Sequence, residues 1–542
     1  MRAVVSALTF TAASVAAAVL YGMACGGLSV TGGWLSLATG AASGLAAWLC
    51  TQKTGSSKPS PWDIAMLVVF GLASLRAFLW LIHPAGDEWR VLSPNNLGDL
   101  SLHLNLIRYL ASGVAFWPQS SILAGVPLTY PLGADIFNSL LTLTGVPVER
   151  GLIWTGLAGA ALTGWALWRW GGAFGLAALL FNGGLAGWMI FAGAGLRDFQ
   201  AELAWKNLFL SMFITQRGLL FALPAGLVMM SCWRRVCEGK TPDIPHGVQL
   251  LLYAAMPLFN VHAFLFLSLL LACLFALAPA RRAYFFGLVA AALVPATCAV
   301  LLVTGVFASN SGLRFLPGWM QADAGWKFWV INFGVALPLL ILLPFRTFRD
   351  GVARAFVLAG LVTFVVCFLF AFAVWEWDNT KLLLWSWLAC VPWIWSALIR
   401  PCPVPIRAAL CVTLFFSGAI SLLAGLDGRH GYKLASRSEL AKTAALLREV
   451  SPTDRIAVRP DYNHPVFLLG RPVLCGYEGH LWSHGLDYRP QWERLKAVLA
   501  LPSDWRQQAK GLNANWLYLE GPMPILMPLH QEKSEPHDSI FP

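Results

Sequence analysis

Charge is scarce in this chain: 12% of its 542 residues are Asp, Glu, Lys or Arg, against 57% hydrophobic. An ordinary soluble domain carries about twice that charged share, so that class is excluded. No basic block with interleaved aromatics occurs, so the net charge of +11 does not describe a groove for a phosphate backbone. Nucleic acid is not an expected partner. CxxC pairs and Cys/His clusters at zinc spacing are missing as well, and no metal site is expected. Most of the eleven cysteines lie in or beside apolar runs, and Cys475 alone falls in the polar tail, where no intramolecular disulfide is available to it. No internal repeat is found, which weakens the inverted-repeat signature of many secondary transporters.

What fills the chain instead is long apolar runs, each able to cross a bilayer core of about 30 Å. They predict a mainly α, polytopic membrane bundle of about twelve spans, near 3–23, 29–50, 62–82, 152–170, 173–194, 217–233, 261–279, 283–304, 328–345, 355–374, 381–399 and 404–424. The stretch 247–259 is an additional half-helix or an extension of the seventh span. The first run reads as a retained helix rather than a signal peptide, because a second run follows almost at once. Basic residues cluster in alternate turns: Lys53 and Lys58, Arg234 and Arg235, Arg281 and Arg282, Arg346 and Arg349, Arg400 and Arg407. These turns are expected to face the cytoplasm. The opposite loops carry most acids, namely Asp87, Glu88, Asp99, Asp135, Glu149, Asp198, Glu202, Asp323, Glu376 and Asp378, which places polar chemistry on the outer side.

After Leu426 the apolar runs stop. Helical periodicity over 439–450 and 489–500, with strand-like stretches at 455–459 and 515–520, predicts a small α/β domain over 427–542, its last ten or so residues frayed. Residues 1–426 form the membrane domain, including the outer loop 83–150.

Candidate chemistry gathers in the loops. In "NNLGDLSLHLNLIRYLASG" Asp99 and His103 are four apart and share a helical face. Asp99 is either an N-cap or a carboxylate base at the membrane surface. Asp135 of "GVPLTYPLGADIFNSLL" is expected to cap a second amphipathic helix, with Tyr130 packing near it. Gln216 and Arg217 open a span, where the arginine either snorkels to headgroups or binds a lipid phosphate. Asn260 and His262 are polar among apolar neighbours, either a helix contact or a site. "VWEWDNTKLLLW" holds Glu376, Asp378, Asn379 and Lys381 among three tryptophans; Lys381 either pairs with an acid or meets a phosphate. His480 and His484 have i,i+4 spacing, but the glycines around them speak against a helix and favour packing of 463–485 on the outer loops.

Together these features resemble the GT-C-type membrane glycosyltransferases, the superfamily of protein mannosyltransferase-like and aminoarabinose-transferase-like enzymes. The resemblance lies in the many spans, the acidic first outer loop with paired amphipathic helices, and the tail on the outer side. The bacterial members are similar in the "GD-x3-H" of Gly98, Asp99 and His103, the Tyr130–Pro131 turn, "QRG" at Gln216–Gly218 and "WDNTK" at Trp377–Lys381. Two departures stand out: two spans, not one, precede the span leading into the acidic loop, and "GDEW" offers Asp87 and Glu88 as a second acidic pair.

The resemblance implies an inverting transfer of sugar from a polyprenyl-phosphate-linked donor to a glycan, lipid or protein acceptor. The reaction would lie on the periplasmic face of a bacterial inner membrane. Asp99 would act as base beside His103, and Arg217 and Lys381 would hold the donor phosphate. Asp87, Glu88, Tyr130, Asp135, Gln216, Asn260, His262, Asp378 and Asn379 would line the substrate site. The superfamily leaves a divalent metal open as cofactor. The rival readings are a glycolipid or polyisoprenoid transporter, and a polysaccharide polymerase or ligase using a lipid-linked glycan.

Overall fold

The computed structural model describes residues 1–53, 58–305, 313–321, 325–521 and 523–529. Asp323 and the extreme tail therefore lie outside the described residues. With 65% helix and 6% strand, the chain is mainly α. Among the described residues seven helices are long and apolar enough to cross a membrane, or eight if one bent pair counts as a span.

That number is below the twelve runs expected, for identifiable reasons. The runs at 152–170 and 173–194 meet at a break at Gly172 within the helical stretch Val148–Leu180, and the second ends well short of 194. Gly172 takes φ 60°, ψ −152°, a conformation closed to residues with a Cβ. The amide of Ala173 then donates to Asp63 Oδ1 at 2.7 Å, while Asp63 also closes a capping box with Ser60. The run 247–279 divides at Asn260 into His246–Phe259 and Val261–Leu277, each short for a crossing. The run at 328–345 is two helices, Gly325–Phe333 and Ala336–Thr347, bent by 82°. Val30–Cys50 is helical as expected, but Gly and Ser dilute its apolar character. It packs along Arg2–Cys25, with Ser6 Oγ donating to the Gly44 carbonyl.

The outer loop holds two short helices, Asp99–Ala111 and Gly133–Leu143, packed on each other. Neither has the side-chain cap expected of it. Asp99 is the first helical residue, after Gly98 at φ 85°, and Asp135 is turned elsewhere.

The stretch after Leu426 is bound into this loop. Its strand Tyr432–Ser436 pairs antiparallel with Glu88–Val91, which pairs in turn with His83–Ala85. Asn105 Nδ2 donates to the Phe467 carbonyl at 2.8 Å, and Arg455 Nη2 to that of Ser120 at 2.9 Å. Further on, Ile456–Ala457 runs parallel to Trp516–Leu519, which pairs antiparallel with Ile525–Pro528. Helices Arg437–Leu446 and Arg489–Leu499 fall where periodicity predicts them. A six-residue helix, Glu478–Ser483, forms despite the glycines and carries His480.

Candidate functional site

A cavity of about 470 Å³ opens between the 83–150 loop, the 205–218 segment, the start of Val261–Leu277, the 375–381 turn and the tail. It receives most of the polar groups singled out by sequence. Asp99, His103, Tyr130, Gln216, Asn260, His262, Asp378 and Lys381 all line it. Asp99 and His103 do share one helical face toward it.

His103 is fixed from behind. It is buried, and its Nδ1 lies 2.7 Å from Oδ1 of Asp135, which is 1% exposed. Nδ1 donates to the carboxylate, which leaves Nε2 for another partner. This corrects the capping role expected of Asp135, and it stands behind the cavity wall rather than on it. Asp99 has no such partner. Burial pushes its carboxyl above the ordinary carboxylate range, against the pull of His103, Lys381 and Arg217. Tyr130 packs between the rings of His103 and His484, with centroids at 6.1 and 5.3 Å, and burial raises its hydroxyl well above its usual value.

The tail supplies His480, Ser483 and His484. His480 sits against the Gly98 backbone, where a Cβ would come within 3.4 Å of its Nε2. Burial lowers His480 to about 3 and His484 to about 4, so both rings are neutral.

Two lysines line the cavity. Lys381 pairs with Asp378 at 2.9 Å, as its bland reading expected. Lys206 escaped sequence reasoning. Its Nζ lies 5.4 Å from the ring centroid of Trp377, and among the described residues no carboxylate is within ion-pair distance. Three buried asparagines hold the backbone around it. Asn332 Oδ1 accepts from the Trp205 amide at 2.9 Å, Asn182 Nδ2 donates to the Lys206 carbonyl at 2.8 Å, and Asn207 Nδ2 donates to that of Leu180 at 2.8 Å. The available signal was a lone lysine in "AWKNLFL", on the side otherwise rich in acids. Trp375 and Trp377, centroids 5.0 Å apart, form an aromatic wall beside it, tied down by Trp377 Nε1 donating to the Ala204 carbonyl.

Besides Asp135, four expected site residues lie elsewhere. Arg217 is not on the cavity; it is buried behind it, with Nη2 donating to Asn96 Oδ1 at 2.6 Å. Asn379 is consumed by the turn: Nδ2 donates to the Cys367 and Phe370 carbonyls and Oδ1 accepts from the Phe372 amide. Asp87 is bound to Ser436 and Ser438, and Glu88 to Arg90 and Lys433, at the hairpin that grips the tail. Asn260 lines the cavity but also caps Val261–Leu277 through the Ala263 amide. Among the described residues no group of three or more His, Cys, Asp and Glu is placed to hold a metal ion.

No protein-family model matches the chain, and no curated protein matches it.

Proposed function

We propose that the cavity transfers a sugar from a polyprenyl-phosphate-linked donor to an acceptor hydroxyl, in an inverting reaction on the extracytoplasmic face of a bacterial inner membrane. One observation carries this reading: a single cavity combines a base-capable carboxylate, two lysines and a tryptophan wall at the start of apolar helices. Asp99 takes the proton of the acceptor hydroxyl. A raised pKa brings such a base nearer to neutral pH, where proton transfer is most effective. The acceptor oxygen bonds to the anomeric carbon as the bond from that carbon to the phosphate oxygen breaks. The lipid phosphate leaves with the electron pair, and Lys206 and Lys381 meet its growing charge. Lys206 replaces Arg217 in this role. His103, positioned by Asp135, hydrogen-bonds the sugar or acceptor beside Asp99. Trp375 and Trp377 offer aromatic faces to the C–H side of a sugar ring. Residues from about 427 onward form an outer domain that closes one side of the cavity through His480 and His484.

The test is transfer by the full chain in lipid nanodiscs, supplied with polyprenyl-phosphate-linked sugar and an envelope extract as acceptor source. Sugar should move with wild type and not with Asp99→Asn. Equal turnover by the two proteins would refute the assignment of the base.

A further inference from the structure

A second cleft, of about 190 Å³, lies across Phe259 from the polar cavity, and Phe259 lines both. Its character is the reverse. Phe10, Phe137, Leu162 and Phe221 typify the lining, and Arg217 is its one ionisable residue. Phe259 stacks on Phe221 with centroids 3.8 Å apart, which makes the partition an aromatic wall. The chain alternates across it: Gln216 and Gly218 face the polar cavity, and Arg217 between them faces the cleft.

Arg217 is 2% exposed, and its Nε and Nη1 have no hydrogen-bond partner. Among the described residues no carboxylate is within ion-pair distance of it. Only Nη2 is used, on Asn96, whose own Nδ2 is held by Ser93 and the Pro94 carbonyl. A buried guanidinium with two idle donors is costly unless an anion completes it. The cleft beside it is apolar and reaches the surface of the bundle at Ala158, which is exposed.

We propose that this cleft is a second lipid site, taking the hydrocarbon of an anionic membrane lipid whose phosphate bonds to Arg217 Nε and Nη1, apart from the donor phosphate on Lys206 and Lys381. Its further role, as seat of a lipid acceptor next to Asp99, rests on the glycosyl-transfer reading. The lipid site itself does not.

The test uses the full chain in detergent and a short-chain phosphatidic acid bearing a photoreactive group in one acyl chain, with the crosslinked peptides read by mass spectrometry. Labelling is expected on peptides containing Phe10, Phe137 or Leu162. It should fall at least tenfold in Arg217→Gln, and likewise in Ala158→Trp, which blocks the mouth while leaving Arg217 and Asn96 intact. Neither inorganic phosphate nor unlabelled polyprenyl phosphate should compete. Equal labelling by a photoreactive diacylglycerol of the same chain length would overturn the anion site. Competition by inorganic phosphate would assign Arg217 to a free anion. Competition by polyprenyl phosphate would make the cleft the seat of the donor's own chain. Each of these results defeats the proposal. If wild type fails to bind polyprenyl phosphate but keeps the label, the donor reading falls and this one stands.

Discussion

The helix Leu219–Cys237 has a buried polar cluster at each end, and the two differ in one respect. Toward Cys237 lie Cys232, Trp233, Asp243, Gln249 and Tyr284. Gln249 there accepts from Trp233 Nε1 at 3.0 Å, donates to the Ile244 carbonyl at 2.8 Å and shares a hydrogen bond with the Tyr284 hydroxyl. Its amide is used up by neighbours, and it borders neither the cavity nor the cleft. Toward Leu219 the polar groups surround open space, and several are unsatisfied. Arg217 has two donors without a partner, and among the described residues Lys206 lacks a carboxylate and Asp99 lacks a cap role. Polarity inside the bundle is common to both ends. Buried groups short of a hydrogen bond also occur at both, Asp243 among them toward Cys237, whereas open space belongs to one end and marks the site.

The sharpest way to break this contrast is at Asp99. Asp99→Asn is expected to lower sugar transfer by about 10² to 10⁴, the range for loss of a general base, while donor binding persists. A single-turnover assay beside a binding measurement separates the two effects. Next in size, Lys206→Ala should weaken donor binding about tenfold, equivalent to about 1.4 kcal/mol, and lower kcat as well, because the lysine meets the charge that grows on the leaving phosphate. Gln249→Leu should do the reverse. Orphaning Trp233 Nε1 and the Ile244 carbonyl costs about 1–3 kcal/mol of stability, read as a lower melting temperature, with transfer unchanged. A loss of transfer there without a loss of stability would erase the distinction between the ends.

The smallest effect is in pH. Because burial raises Asp99, the folded protein holds its proton at pH values where the unfolded chain has released it. Stability from this group is therefore greatest below the ordinary carboxylate range. It declines as pH rises through the window from that range to the raised value. Under the proposed reading, activity is expected to run the other way, rising as the base ionises. Asp99→Asn should flatten that part of the stability profile, as a thermal-melt series across pH would detect.

Local patterns reached part of this site. The i,i+4 spacing of Asp99 and His103 needs only a helix to become a shared face, and the loaded 374–385 stretch needs only a turn. Groups that depend on the rest of the fold were illegible. Asp135 meets His103 from 32 residues away. Lys206 is presented by asparagines at 182, 207 and 332. His480 and His484 are the exception, since packing of 463–485 on the 83–150 loop was expected and the Gly476 amide donates to the Ile122 carbonyl there. Arg217 was readable as a functional cation, but its side of the partition depends on Phe259. Asp87 and Glu88 look like an acidic pair in sequence because the strand they bind lies some 350 positions on. The helical class was legible in the apolar runs. The 82° bend was not, because it depends on contacts and backbone angles that hydropathy does not encode, whereas the breaks at Gly172 and Asn260 fall in the gaps between expected runs.

The most direct measurement is native mass spectrometry of the gently solubilised chain incubated with polyprenyl phosphate, for wild type, Lys206→Ala and Arg217→Gln. The account predicts a polyprenyl-phosphate adduct on wild type and on Arg217→Gln, strongly reduced on Lys206→Ala. An adduct retained by Lys206→Ala and lost from Arg217→Gln would contradict it, placing the donor phosphate in the apolar cleft.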